Sequence, residues 1–501
     1  MNGPLSREGS ASSAVGDWRR RGLRAFAAAS LVLLLTVGTV ARAADPLPKV
    51  RVAADGRTFV TAGGKRYVPF GVSYFRPHTG WAPQVWKQFD ASAVRQDFQL
   101  MREAGVNCVR VFLSFGSFYQ QPGVLSPIGL EKFDQFLALA EEAGMYVHPT
   151  GPDHWEGLPE WARGDRYADD TVLSALETFW KLFATRYRGR TALFAYDLLN
   201  EPEVRWDTPA MRDKWNRWLA AKYGSSERIG SAWGGPGPVP SLPGVPVPPP
   251  SEAPGSKPLL DYQRFRENVA EEWTRRQAAA IKAADPNALV TVGLIQWSVP
   301  SLVFGVQHYS AFRPDRQAPF LDFIEIHFYP LDQGFYEYGR PEAEERNLAY
   351  LESVVREAAR PGKPVVVAEF GWYGGGRLTI DGGKHPAATE EDQARWCSRA
   401  IDTTAHLATG WLNWGFFDCP EAGDVSQLTG LFTVDGKAKA WGRTFQGLAA
   451  HHQGQAMPPP KPLARPELDW DACITSPRAS NEFRDRYFQA FRAERARPAQ
   501  P

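Results

Sequence analysis

The sequence has little from which to build a metal centre or a disulfide framework. Its 501 residues include four cysteines and nine histidines. Cys397, Cys419 and Cys473 lack CxxC spacing, which argues against zinc. Cys108 sits in the apolar run Val106 to Phe112 and reads as a buried free thiol. An oxidising compartment leaves room for one disulfide, with Cys419 and Cys473 as the candidate pair. A net charge of +1 gives no field to gather nucleic acid or an anionic surface as partner. No glycine-rich phosphate loop follows the first strand, and no Ser-His-Asp order is present. These absences leave chemistry done by side chains alone, without metal or cofactor.

Aromatic residues, by contrast, are abundant: 18 Trp, 16 Tyr and 29 Phe, in a chain that is 43% apolar. Most belong in a large core. Flat aromatic faces also stack on sugar rings, so the excess is compatible with a carbohydrate ligand.

Residues 1–43 read as an export signal. The basic stretch Arg19-Arg20-Arg21-Gly22-Leu23-Arg24 leads into an apolar run from Ala25 to Val40, and Ala41-Arg42-Ala43 supplies small residues for cleavage. The run is short for a membrane span, so no stable membrane association is expected once the signal is removed. The paired arginines before Leu23 are also compatible with twin-arginine export. The mature chain is expected to begin near Ala44 and to be periplasmic or extracellular.

Beyond it, two segments share one grammar. Asp90 opens an amphipathic helix through Arg95, Phe98 and Met101, which ends at Glu103-Ala104-Gly105 and passes into the strand Val106–Phe112. Gly129 to Ala140 forms another, ending at Glu142-Ala143-Gly144 before Met145–Pro149. Glycine at each helix end accepts the left-handed conformation that turns the chain into a strand. Six more strand-like runs are Tyr67–Ser73, Leu193–Leu199, Ala288–Leu294, Leu321–His327, Pro364–Glu369 and Gly410–Trp414. Strands alternating with helices pair in parallel, and near-continuous apolar runs fit strands buried on both faces. Eight of them predict an α/β fold, a (β/α)8 TIM barrel, over residues 44–455; an open doubly wound sheet is the runner-up. Val50 to Thr61, with the Gly63-Gly64 turn, reads as a small N-terminal β-hairpin plugging the barrel bottom. A long Pro/Gly-rich insertion falls at about 225–260, with Pro236–Lys257 a surface loop. Residues 456–501 form a C-terminal extension, with an amphipathic helix over Asn481–Arg495.

In such a barrel, polar residues at the C-terminal ends of strands are placed for chemistry. The fourth strand ends Asn200-Glu201-Pro202, the sixth Glu325-Ile326-His327-Phe328-Tyr329, the seventh Glu369-Phe370-Gly371 and the eighth Leu412-Asn413-Trp414. Glu201 and Glu369 would then face each other across the barrel mouth. Cleaving a glycosidic bond needs such a pair, one carboxyl to attack the anomeric carbon and one to protonate the leaving oxygen. Their mutual repulsion raises one pKa, which would keep the acid protonated.

The Asn-Glu-Pro, His-x-Tyr, Glu-Phe-Gly and Trp strand ends resemble family 5 glycoside hydrolases and their clan of cellulases and mannanases, over roughly Val50 to Ala450. The resemblance implies Glu201 as acid/base and Glu369 as nucleophile. It implies that Asn200 contacts the sugar 2-hydroxyl, that Arg110 orients and ionises the nucleophile, and that Tyr329 hydrogen-bonds it. His327 would line the same wall and Trp414 would form the stacking floor. For the histidine of the third strand, His154 is preferred over His148 because it lies nearer the loop. Among other aromatics near strand ends, Trp155, Trp297 and Trp372 rank first, ahead of Trp81, Trp86, Trp161 and Trp206. The implied substrate is a β-1,4-linked mannan or glucan, as polysaccharide or oligosaccharide, with an exo-acting β-mannosidase or β-galactosidase as alternative. The region Lys214–Trp233 resembles an insert of some family 5 members and of family 42 type β-galactosidases, which leaves internal and terminal cutting both open.

Overall fold

The computed structural model describes residues 46–79, 84–234, 239–334, 336–380, 382 and 384–495. The export signal and Trp81 lie outside the described residues. Three short strands, β1 (Val50–Val52), β2 (Phe59–Thr61) and β3 (Arg66–Tyr67), form an antiparallel sheet. Eight parallel strands then close into a barrel. They are β4 (Phe70–Ser73), β5 (Cys108–Ser114), β6 (Tyr146–Asp153), β7 (Tyr196–Asn200), β8 (Val290–Leu294), β9 (Ile324–Phe328), β10 (Val365–Phe370) and β11 (Gly410–Asn413), the last pairing with β4. No helix among the described residues is long and apolar enough to cross a membrane.

The eight expected strands are all present, with shifted ends. Tyr67–Ser73 is not one strand: Tyr67 closes the small sheet and the barrel strand begins at Phe70. Pro69 between them has no N–H to continue a ladder. The helix grammar holds closely. Asp90 caps the helix Ala91–Glu103 by accepting from the amides of Ser92 and Ala93, and Gly144 closes Pro127–Ala143 in the left-handed conformation at φ 71°.

The small sheet seals the N-terminal end of the barrel. Phe59 is fully buried, its ring edge-on to Phe194 at 5.2 Å and to Phe323 at 5.3 Å. Tyr67 adds a tilted contact with Tyr146 at 4.8 Å. Chemistry is thereby confined to the opposite, C-terminal mouth.

The Pro-rich stretch is a loop pinned to the helix Pro209–Tyr223. Asn216 exchanges two hydrogen bonds with the Val245 backbone, both at 3.0 Å, and Trp215 donates to the Pro246 carbonyl at 3.2 Å. In the C-terminal extension the helix runs over Pro477–Arg495, four residues longer at its start than expected, and packs on Pro341–Ala359. A buried pair, Arg465 to Glu352 at 2.6 Å, supports it. All four cysteines are buried free thiols, so the Cys419–Cys473 disulfide is corrected. Cys419 packs with Trp414 and Phe112 at the barrel mouth, whereas Cys473 belongs to the larger core cluster with the C-terminal helices.

Replacing Phe59 with Ala removes the plug's central ring from a fully buried site. Truncating such a phenylalanine costs about 3–5 kcal/mol, so urea unfolding should show a loss of that size; a loss below about 1 kcal/mol would refute the plug's role.

Candidate active site

Arg110, on β5, is fully buried at the centre of the barrel. Its Nη2 donates to Asp197 at 2.9 Å and to Asn200 at 2.9 Å. Its Nη1 reaches Glu369 at 3.2 Å, and its Nε lies 3.2 Å from Glu325. These carboxylates hold the guanidinium charged despite burial. Above it, the chain leaves β7 at Glu201 with φ 47°, in the left-handed region where side chains other than glycine are uncommon. The Glu201 amide donates to the Gly293 carbonyl at 2.8 Å, which fixes that turn.

β9 supplies the wall between the two glutamates. His327 Nδ1 lies 3.1 Å from Glu201 Oε1 and 3.5 Å from Glu369 Oε2, and its Nε2 faces Glu325 at 3.3 Å. The Tyr329 hydroxyl donates to Glu369 Oε1 at 2.7 Å. A carboxylate oxygen of Glu201, one of Glu369 and a ring nitrogen of His327 all lie within 4.8 Å of one another. Below them His148, Asp197 and Glu325 make a second close cluster, with Arg110 paired to both its carboxylates.

Burial raises the Glu369 carboxyl, and the neighbouring Glu201 charge adds to this. His327, Arg110 and Tyr329 pull the other way, leaving it at about 7. Burial opposes a cationic His327, but Glu369 and the contacts to Glu201 and Glu325 outweigh it against Arg110, lifting its pKa to about 9. The expected like-charge effect is therefore present, and the carboxyl it raises is buried Glu369, the expected nucleophile.

A cavity of about 440 Å³ opens over this pair. Trp155, Asn200, Glu201, Tyr329, Glu369, Trp372 and Trp414 all line it, together with Asp424 and Val425 from the loop after β11. Arg110 and His327 lie beneath its surface. Trp414 is held as a floor by its indole N–H, which donates to Ser426 at 2.7 Å.

Two expected residues are placed elsewhere. His154 does not line the cavity, since β6 continues to Asp153 and carries it to the rim, where it stacks behind Trp155 at 4.6 Å. The third-strand histidine that joins the site's network is His148, hydrogen-bonded to Glu325 at 2.8 Å. Trp297 is half-buried outside the cavity with its N–H on Glu203. Three residues went unrecognised in the sequence: Asp197, Glu325 and Gly293. A Cβ on Gly293 would stand 3.0 Å from the His327 ring and 3.1 Å from Arg110. A lone glycine inside a strand is the signal for such a close approach.

Fold and site together define a barrel with a paired-carboxylate centre. The family model described as Cellulase (glycosyl hydrolase family 5) matches residues 60–418. The chain belongs to glycosyl hydrolase family 5, a family of glycosidases. It is 27% identical to a β-galactosidase of Thermus thermophilus over 327 residues, 60% of this chain but only 45% of that protein's length. It is 22% identical to mannan endo-1,4-beta-mannosidase F of Aspergillus clavatus over 391 residues, 72% of this chain and 69% of the relative. A GH5_18 structure from Streptomyces cattleya, in complex with Manb1-4GlcNAc, superposes with TM-score 0.59 at 20% identity, covering 85% of this chain and 93% of that one. At that identity the structural likeness speaks for the fold.

As the expected nucleophile, Glu369 would have to be ionised, so kcat/KM should fall as pH drops through about 7. Tyr329 stabilises the anion by donating to it, so Tyr329→Phe should move this acid limb to higher pH. A limb that stays in place or moves down would show that Tyr329 does not act on Glu369.

Proposed function

We propose that the chain is an exported, retaining β-glycoside hydrolase that cuts β-1,4-linked mannan- or glucan-type polysaccharides or their oligosaccharides. The observation that carries this reading is the close approach of the two carboxylates, within 4.8 Å. Retaining pairs stand roughly 5 Å apart, whereas inverting pairs leave roughly 6.5–9.5 Å for a water.

In the first step a Glu369 oxygen attacks the anomeric carbon while Glu201 gives its proton to the departing oxygen. The C–O bond to the leaving sugar breaks and a glycosyl-enzyme ester forms. In the second step Glu201 takes a proton from water, whose oxygen attacks the same carbon and releases the sugar with its original configuration. Asn200, held by Arg110, is suited to the 2-hydroxyl, and Trp414 to the sugar face. Trp155 and Trp372 line the same cavity. Likeness to a mannanase and a β-galactosidase supports a β-linked hexose as substrate. The signal-like sequence of residues 1–43 supports export.

Glu369→Gly should abolish turnover, and azide should restore it by yielding the α-glycosyl azide. A β-configured azide, or undiminished activity, would sink the nucleophile assignment. Glu201→Gln should lose about 10²–10⁴-fold in kcat on natural glycans, where the leaving oxygen needs a proton. It should lose far less on aryl glycosides with good leaving groups; equal losses on both would speak against Glu201 as the acid.

A further inference from the structure

Glu201 gives its proton to the leaving oxygen, so the acid/base sets the direction of a bound chain. The leaving sugar must lie on the Glu201 side, over the loops that follow β7 and β8, where Trp297 is half-buried and Phe304 is 61% exposed. The sugar attacked by Glu369, and anything joined to its non-reducing end, extends the other way, over β10, β11 and β4.

The loops after those three strands are tied to one another. The Thr379 amide donates to Gln427 Oε1 at 2.9 Å, and Gln427 Nε2 returns a bond to Thr379 Oγ1 at 2.8 Å. The same amide group reaches the Ala422 carbonyl at 2.9 Å, and Gly374 donates to the Leu428 carbonyl at 3.1 Å. From the β4 side, the His78 amide donates to the Glu421 carboxylate. Ser426 joins this wall to the floor by accepting from Trp414. The wall's inner face, Ile380, Gly423, Asp424 and Val425, lines the cavity that holds Glu201 and Glu369.

Asp424 is half-buried in that face, and its charge acts on the Tyr329 hydroxyl that bonds the nucleophile. Its Oδ1 accepts from the Ser426 amide at 2.8 Å; among the described residues no hydrogen bond engages its second oxygen. A carboxylate there can accept from a sugar hydroxyl. It gains nothing from a glycosidic oxygen, which has no proton to give. In a β-1,4 chain the internal sugars have spent their 4-hydroxyl on the next linkage, and only the non-reducing end keeps it free.

We propose that the clasped wall ends the sugar site on the non-reducing side and that Asp424 reads the free hydroxyl of a terminal sugar, so that single sugars are removed from chain ends. This rests on the glycosidase reading above. Sites built around a substrate hydroxyl reject analogues lacking it by about 10⁴–10⁵-fold, because their own polar groups are left unpaired.

The test uses the mature protein with β-1,4-mannohexaose and cellohexaose carrying a fluorophore at the reducing end. Wild type should release monosaccharide from the first time points, with the labelled chain shortening one sugar at a time. A hexaose 4-O-methylated at its non-reducing end should resist. Asp424→Asn should lose at least about 10²-fold in kcat/KM with an unchanged melting temperature. Gln427→Ala, which opens the clasp, should begin to produce internal fragments. Mixed fragments from wild type at the outset, or normal cutting of the capped hexaose, would overturn the proposal and leave the glycosidase reading standing. A folded protein that cuts no oligosaccharide or aryl glycoside would overturn that reading itself.

Discussion

A guanidinium buried without water must be surrounded by partners that replace its hydration, and Arg110 meets this condition with residues from three other strands. Asp197 and Asn200 come from β7, Glu325 from β9 and Glu369 from β10. Desolvating such a charge costs several kcal/mol per ion unless the geometry around it is filled. The planar fork of arginine fixes where each acceptor must stand. The position of Glu369 is therefore a consequence of charge satisfaction in the barrel interior. The Asp197 side chain carries the arrangement further, accepting from Thr150 at 2.8 Å and from the Gly293 amide at 2.7 Å. One residue thus couples strand register to the chemistry at the mouth.

Above this base, the two carboxyls stand close together over one shared imidazole. His327 carries positive charge at neutral pH and stands within reach of both glutamates. The pair still repels, and burial decides that Glu369 holds its proton more tightly than an exposed carboxyl would. A pKa of about 7 leaves its ionised form near half-populated at neutral pH. Presenting Glu369 as an anion then costs under about 1 kcal/mol, since a whole pKa unit is about 1.4 kcal/mol. Glu201, nearer to solvent, is the better placed of the two for the proton exchange with water that the proposed mechanism needs.

The barrel and its glutamates were legible because strand ends announce themselves: apolar runs stop at Asn-Glu-Pro and Glu-Phe-Gly. The supporting charges were legible in principle. Glu325 and His327 alternate along β9, with Tyr329 just past its end, and a strand buried on both faces has reason to carry a charge only if a partner waits inside. His148 follows the same rule, being two residues from Thr150, which also points inward to Asp197. Judging the third-strand histidine by nearness to the loop failed because β6 is longer than its apolar core. Contacts such as Thr379 with Gln427, 48 residues apart, have no local signature at all. They depend on which loops the closed barrel makes neighbours.

The same reasoning gives the C-terminal extension a place in the site. Asp332 follows Tyr329 by three residues and is enclosed by Arg484 of the last helix at 3.1 Å and Arg346 at 3.5 Å. Its amide donates to Asn347 at 3.0 Å. At the other end of this short segment, the Tyr329 backbone amide donates to Gln296 Oε1 at 2.7 Å and its carbonyl accepts from Gln296 Nε2 at 3.1 Å, before its hydroxyl reaches Glu369. Between them Leu331 lines the cavity. A loop anchored at both ends in this way loses the mobility that surface connections ordinarily have. The extension, remote in sequence from both glutamates, therefore supports the segment that aims Tyr329 at Glu369.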